Sequence, residues 1–472
     1  MTEEAQSDRV ASGLRSLGLR LGLSPDRRGL VLLGVLTTLA YVALAFCPDR
    51  SHPVAREAAA WATVAVLLLL YGLGDAQIRA SEPLGSKVLL WFFALTALVA
   101  LLAWPFHSAD LYLYANGGWL ESHYGLNPYA HVPTDVPADP MLTDLWKGQV
   151  TPYGFLFAHL SRVLAWLGGG NLWLTVRLYK AVNVLALCVL GWLVASTARR
   201  LGQKRSDVST YLLLASPFLL VHHVVNGHND ILMALFVVLG LRLAIDGRWA
   251  FVAAALVLGV LVKLAAAVAL PFAVVFLAKR HGWARTVAGL AIGGAVLVLV
   301  GLPYLLDARD FRWDGIAKAL TSPAYSLHAA VVGVYRWTGA PYADGFQSAA
   351  QLILGIGFLG FLGMRVARAA RKPAYSGEDL ITDAVLSLIL LTCVASSRFG
   401  PWYGGMFLPV ALLLPDGHSV RRLALWLTAF ELLGITFIGR ARILDALVMT
   451  ALPLFLFWLA ERRHARIPST VQ

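Results

Sequence analysis

Residues 208–245 read VSTYLLLASPFLLVHHVVNGHNDILMALFVVLGLRLAI. Two apolar runs, 208–222 and 229–245, flank a polar knot in which His222, His223, Asn226, His228, Asn229 and Asp230 crowd together. Apolar runs of this kind, repeated along a chain, are membrane spans. Hydrocarbon offers no water to a peptide group, so each run must close its own hydrogen bonds as a helix. The knot is then a hairpin at a membrane surface. Imidazole, amide and carboxylate groups so close to lipid are costly unless they are paired or used.

The rest of the chain repeats the pattern. Of 472 residues, 58% are hydrophobic and 14% charged, and the mean hydropathy is +0.68, a balance foreign to a soluble domain of this length. The fold expected is all-α and polytopic, with about fourteen spans. They lie near 30–47, 57–74, 88–104, 172–197, 208–222, 229–245, 248–262, 264–278, 286–305, 347–364, 379–395, 401–415, 422–439 and 442–460. Basic clusters at the N-terminal tail, 199–205, 279–285, 365–372, 421–422 and 462–466 fall on one side, which the positive-inside rule makes the cytoplasm. Residues 151–168 are read as a re-entrant or interfacial helix, because a full crossing would invert the charge pattern downstream. Loops 105–171 and 306–346 then lie outside. The organisation expected is a basic tail at 1–29, disordered or interfacial and with no signal-peptide cleavage site, one membrane domain at 30–460, and a short tail at 461–472. The net charge of +12 serves orientation and anionic lipid rather than nucleic acid. Cys47, Cys188 and Cys393 are too scattered for a disulfide framework or a metal site.

Five polar clusters fall on the outer side of this topology. In His107-Ser-Ala-Asp110-Leu-Tyr112-Leu-Tyr114 a helix over 109–121 would set Asp110 and Tyr114 one turn apart on one face. An acid there can take a proton from a sugar hydroxyl. Equally, Asp110 or Ser108 could cap the helix and the tyrosines could form an interface belt. Gly125-Leu-Asn127-Pro128-Tyr129 and Thr151-Pro152-Tyr153-Gly154 read as turns, or as a loop folded back to shape a groove. In the hairpin, His223, Asn226, His228, Asn229 and Asp230 suit sugar hydroxyls or phosphate, Gly227 suits a left-handed turn, and the spacing is poor for zinc. Lys263 is the one charge in 249–278, and it either meets an anionic lipid phosphate or snorkels to headgroups. Arg398, beside Trp402 and Tyr403, could clamp phosphate with it, while the aromatics could simply anchor the interface. Arg440 and Arg442 are weaker candidates.

The stretch Asn226-Gly-His228-Asn229-Asp230 with Lys263 resembles the Gly-His-Asn-Asp…Lys pattern of bacterial polyprenol-phosphomannose-dependent α-1,6-mannosyltransferases. Thr151-Pro-Tyr-Gly154 is similar to their Ser/Thr-Pro-Tyr-Gly segment, and Trp402-Tyr403 to their late aromatic motif. The resemblance covers roughly 105–410 and implies a GT-C glycosyltransferase fold, with interfacial helices in the first long outer loop and a catalytic acid there, which places Asp110 in that role. Asp110 has no adjacent acid, and Leu264 rather than Pro follows Lys263.

The reading is an inverting transferase in a bacterial plasma membrane, its site facing outside. A sugar, mannose by the resemblance, leaves a polyprenyl-phosphate donor for a glycan or lipid acceptor. Asp110 is the base. Tyr112, Tyr114, Tyr153, His223, Asn226, His228, Asn229, Asp230, Lys263, Arg398 and Trp402 bind substrate. No cofactor is implied, and a divalent metal stays open. The rival is a lipid or polysaccharide transporter without transferase activity, against which stands the gathering of polar groups at one surface.

Overall fold

A computed structural model describes residues 3–21, 27–45, 53–105, 108–136, 138–321, 326–339, 342–434, 444 and 446–465. Cys47, His107, Arg440 and Arg442 lie outside them. The described residues form helices and loops without a β-strand.

The helices are α1 (Glu3–Arg20), α2 (Arg27–Ala45), α3 (Pro53–Ala80), α4 (Ser86–Leu102), α5 (Asp110–Tyr124), α6 (Phe155–Gly168), α7 (Leu172–Arg200), α8 (Ser206–Leu214), α9 (Pro217–Leu219) and α10 (Asp230–Ile245). They continue as α11 (Trp249–Val260), α12 (Leu270–His281), α13 (Trp283–Leu305), α14 (Trp313–Thr321), α15 (Leu327–Trp337), α16 (Ala343–Arg371), α17 (Gly377–Leu390), α18 (Gly404–Ala411), α19 (Ser419–Gly434) and α20 (Leu452–Ala465). Among the described residues, seven helical stretches are long and apolar enough to cross a membrane: Arg28–Ala45, Ala62–Ala80, Leu172–Arg200, Ser206–Val225, Leu264–His281, Trp283–Leu305 and Asp344–Arg371.

Local chemistry explains several boundaries. Gly125 and Gly169 take φ of 65° and 57° and end α5 and α6 with left-handed caps. Asn171 opens α7 by accepting from the Leu174 amide at 3.0 Å. Ser376 and Asp379 form a capping box ahead of α17. Inside α7 the buried Lys180 ammonium donates to the Ala103 carbonyl, which the end of α4 leaves without an intrahelical partner. The stretches 206–225 and 377–395 both finish in a π-helical turn, Leu220–Val225 and Leu391–Ala395. Such turns are rare and recur at functional sites.

Two expectations need correction, and a third is refined. Part of the N-terminal tail is the helix α1, whose Leu14 packs against the main core and lies near Gly72 of α3. The stretch 401–415 is not one long helix. Pro401–Tyr403 forms a turn, and α18 spans eight residues. The span expected at 264–278 is present as Leu264–His281, with its first residues, Leu264–Ala269, in a 3-10 helix that becomes α-helical at Leu270 and Pro271. Proline suits the first turn of a helix, where no amide donor is needed.

The long loop 105–171 holds α5 and α6, as expected, and the two pack closely. A β-carbon on Gly118 would sit 2.2 Å from the Ser161 carbonyl oxygen, so only glycine allows the approach. A second, small core of Tyr129, Ala158, Tyr304 and Phe311 pins this loop to the end of α13. Tyr129 meets Tyr304 at 5.3 Å and Phe311 at 5.0 Å between ring centres. The Arg312 amide donates to the Tyr129 carbonyl at 3.0 Å.

Gly118→Ala is expected to destabilise the protein by about 1–3 kcal/mol, the usual cost of overpacking. Gly357→Ala, with nothing within 4 Å of its added carbon, is expected to change stability by less than about 0.5 kcal/mol. Thermal unfolding in detergent checks both.

Candidate active site

Four segments meet where α5 begins. The first is that helix start. The Asp110 amide donates to Ser108 Oγ at 3.2 Å, while the Asp110 carboxylate turns to other partners. The Asp110 side chain keeps 15% of its surface exposed. Tyr114 follows one turn later and meets Tyr153 and Phe157 edge-on at 5.0 and 4.8 Å.

The second segment is the hairpin. Its π-helical turn is closed by the Asn226 amide, which donates to Val221 O at 3.0 Å, and by the Asn226 side chain on the same carbonyl at 3.1 Å. Gly227 has φ of 71°, and a β-carbon there would come 1.8 Å from Leu111 Cδ1. This one glycine supplies both the left-handed turn and the close seat against α5. Asn183 of α7 reaches in and donates to the carbonyls of His223, at 2.6 Å, and His228, at 3.0 Å. His228 thereby presents Nδ1 to Asp110 Oδ2 at 3.5 Å. Asn229 is buried, and neither polar atom of its side chain has a hydrogen-bond partner among the described residues.

The third segment is Thr151–Gly154. It lies against the end of α11 through backbone bonds, Gly154 N to Val262 O at 3.2 Å and Phe157 N to Leu261 O at 3.3 Å. This sets Tyr153 so that its hydroxyl donates toward Asp110 Oδ2 at 3.5 Å. Lys263 comes next along that backbone. Its ammonium donates to Asp230 Oδ1 at 2.5 Å and sits 4.1 Å from the centre of the Tyr403 ring.

The fourth segment is the turn 396–403. Trp402 stacks on His228, ring centres 3.8 Å apart and planes within 11°. Arg398 lies 5.8 Å over the Trp146 ring. The Ser397 carbonyl accepts from Ser326 Oγ at 2.6 Å. Behind the turn, Glu431 of α19 accepts the Gly404 amide at 2.8 Å.

The structure therefore brings together Asp110, Tyr114, Tyr153, His228, Asp230, Lys263 and Trp402, with Arg398 close enough for its charge to act on Asp110. Tyr112 stands about 200° round α5 from Asp110. His223 is buried with its ring against Gly405, and Asn226 braces the hairpin from within. Sequence reasoning missed Asn183, Trp146 and Glu431. Asn183 and Glu431 carried a usable signal, as polar side chains inside apolar runs. Among the described residues no three His, Cys, Asp or Glu side chains are grouped as metal ligands.

Burial on its own would raise the Asp110 pKa. The contact with His228, joined by the charges of Arg398 and Lys263, outweighs it and holds the carboxyl below its ordinary 3.8. An ionised acid with a cation-rich flank and one open side can accept a proton from a hydroxyl while an anionic group departs nearby.

A family described as Alpha-(1->6)-mannopyranosyltransferase, N-terminal domain, matches residues 29–279. Curated relatives agree. An Alpha-(1->6)-mannopyranosyltransferase A of Corynebacterium glutamicum is 31% identical over 38% of this chain and 37% of its own. That of Mycobacterium tuberculosis is 28% identical over 52% of this chain and 49% of its own. An Alpha-(1->6)-mannopyranosyltransferase B of Corynebacterium glutamicum is 24% identical over 79% of this chain and 63% of its own. The match thus spans less than two thirds of each relative's length.

Asp230→Asn leaves the Lys263 ammonium without its buried counter-charge. The expected cost is about 3–5 kcal/mol, read as a fall in thermal stability that the double variant Asp230→Asn/Lys263→Met partly recovers.

Proposed function

The chain belongs to the alpha-(1->6)-mannopyranosyltransferase family, and from that premise we propose that it moves mannose from a polyprenyl-phosphate donor to a hydroxyl of a glycan or glycolipid. The observation that carries the reading is Asp110, an ionised carboxylate at the meeting of four segments with Lys263 and Arg398 beside it.

In the proposed step Asp110 takes the proton of the acceptor hydroxyl as its oxygen attacks the anomeric carbon. The new C–O bond forms while the bond to the phosphate oxygen breaks, and polyprenyl phosphate leaves with the electron pair. One displacement turns a β-linked donor into an α-glycoside, and the relatives' names suggest a 1,6 linkage. Lys263 and Arg398 meet the departing phosphate, and Arg398 can do so with two donors in one plane. His228, pressed flat by Trp402, holds Asp110 and faces the sugar. Asn229, whose buried amide has no partner among the described residues, suits a sugar hydroxyl. The site faces the outside of a bacterial plasma membrane, and about fourteen helical crossings set that orientation by the positive-inside rule.

The experiment uses purified protein in liposomes with radiolabelled polyprenyl-phosphate mannose and a panel of mannosidic and lipid acceptors. Transfer by the wild type and loss of at least about a hundredfold in folded Asp110→Asn is the result expected. Equal rates for both would remove Asp110 as base. Donor movement across the bilayer without transfer would favour the transporter instead.

A pH profile gives a second check. The Asp110 pKa is depressed, so its carboxylate persists as pH falls past 3.8 and protonates only below that. Between about pH 5 and about pH 8 the rate is expected to show no limb from this group. In His228→Gln the acid limb is expected to move up toward the ordinary carboxylate range.

A further inference from the structure

A second charged site lies at the far end of the bundle. The stretch 377–395 leads from it to the turn bearing Arg398, about 28 Å away by helical rise. There, the end of α16 and the start of α17 enclose a cleft of about 620 Å³, a size that holds a small ligand or a lipid headgroup.

The acids of this cleft are already engaged. Asp383 accepts from Arg365 Nε at 2.8 Å and from the Tyr375 hydroxyl at 2.8 Å. Asp379 accepts from Lys372 at 2.7 Å. Arg368 and Arg371 also line the cleft, both exposed, and no protein group among the described residues pairs with either. The cleft therefore offers two arginines set one turn apart, a spacing at which both guanidinium groups can reach one anion.

Beside them runs an uncovered apolar surface. None of the apolar window of α16 is buried within the protein. Met364 lines the cleft and is 62% exposed, and Ile353 and Ile356 are exposed further along the helix. Gly360 and Gly363 have nothing within 4 Å of where a β-carbon would lie. They leave a shallow trough that leads away from the arginines along the helix.

The geometry points to a binding site for an anionic glycerophospholipid, its phosphate held by Arg368 and Arg371 and one acyl chain laid along the Gly360–Gly363 trough of α16. Charge selects the headgroup, and the apolar helix face selects a lipid over a soluble phosphate. The site is remote from Asp110 and independent of the transfer reaction.

Native mass spectrometry of the whole protein, released from neutral detergent with equal amounts of dioleoyl phosphatidylglycerol and dioleoyl phosphatidylcholine, tests this. Retention of phosphatidylglycerol about tenfold over phosphatidylcholine is expected for the wild type. Arg368→Gln/Arg371→Gln is expected to bring the ratio to about one. Gly360→Leu/Gly363→Leu, which fills the trough and spares the arginines, is expected to weaken lipid retention as well, so the test survives misfolding of either variant. An unselective wild type, or a folded arginine variant that retains the preference, overturns the proposal. So does displacement of phosphatidylglycerol by excess inorganic phosphate, which would make the cleft a site for free phosphate.

Discussion

The pairing of Lys263 with Asp230 is the constraint on which the site end of the bundle depends. Two charges held in an apolar protein are costly to desolvate, and the cost is recovered only when each keeps the other. Asp230 is also the first residue of α10, where the free amides of the helix end favour a negative charge. The pair ties that helix start to the junction after α11. Because Thr151–Gly154 is bonded to the backbone just before Lys263, the same tie carries Tyr153 to Asp110. Because His228 sits two residues before Asp230, it also fixes the imidazole between Asp110 and Trp402. The ion pair and the backbone beside it thus join the hairpin, the junction after α11 and Thr151–Gly154, while the turn 396–403 comes in through Trp402 on His228.

The bundle was readable because lipid imposes one answer on long apolar runs. α2, α7, α10 and α13 stand close to where their apolar stretches put them. α18 did not, since an apolar stretch says nothing of how much of it is helix. The apolar run after Gly405 carries the average over Pro401–Tyr403, while the observed turn is held by Glu431 on the Gly404 amide. α1 escaped because its charges mask the leucine it packs, half-buried, against the core.

The site was legible as a set of residue types and obscure as an arrangement. Helical spacing was enough to join Tyr114 to Asp110, and the same spacing turns Tyr112 away. Nothing in the sequence announces that Thr151–Gly154 rests on Leu261 and Val262, because those contacts are made by peptide groups common to every residue. His223 and Asn226 looked the same as His228 and Asn229. What separates them is the π-helical turn, which keeps the first two within the hairpin and leaves His228 against Asp110 and the Asn229 amide without a partner among the described residues.

The small core around Tyr129 has a consequence for the order in which the protein is made. Tyr129 waits for Tyr304 and Phe311, which leave the ribosome about 175 residues later; at synthesis rates of roughly 5–20 residues per second that is about 10–35 seconds. Until then the first long loop has no aromatic partners on α13, and the Tyr129 hydroxyl, which bonds the Tyr153 carbonyl at 2.8 Å, has no fixed seat. The early helices can assemble in the membrane while the loop beside Asp110 is still open, and that loop gains its seat on Tyr304 and Phe311 only once α13 and the residues after it arrive.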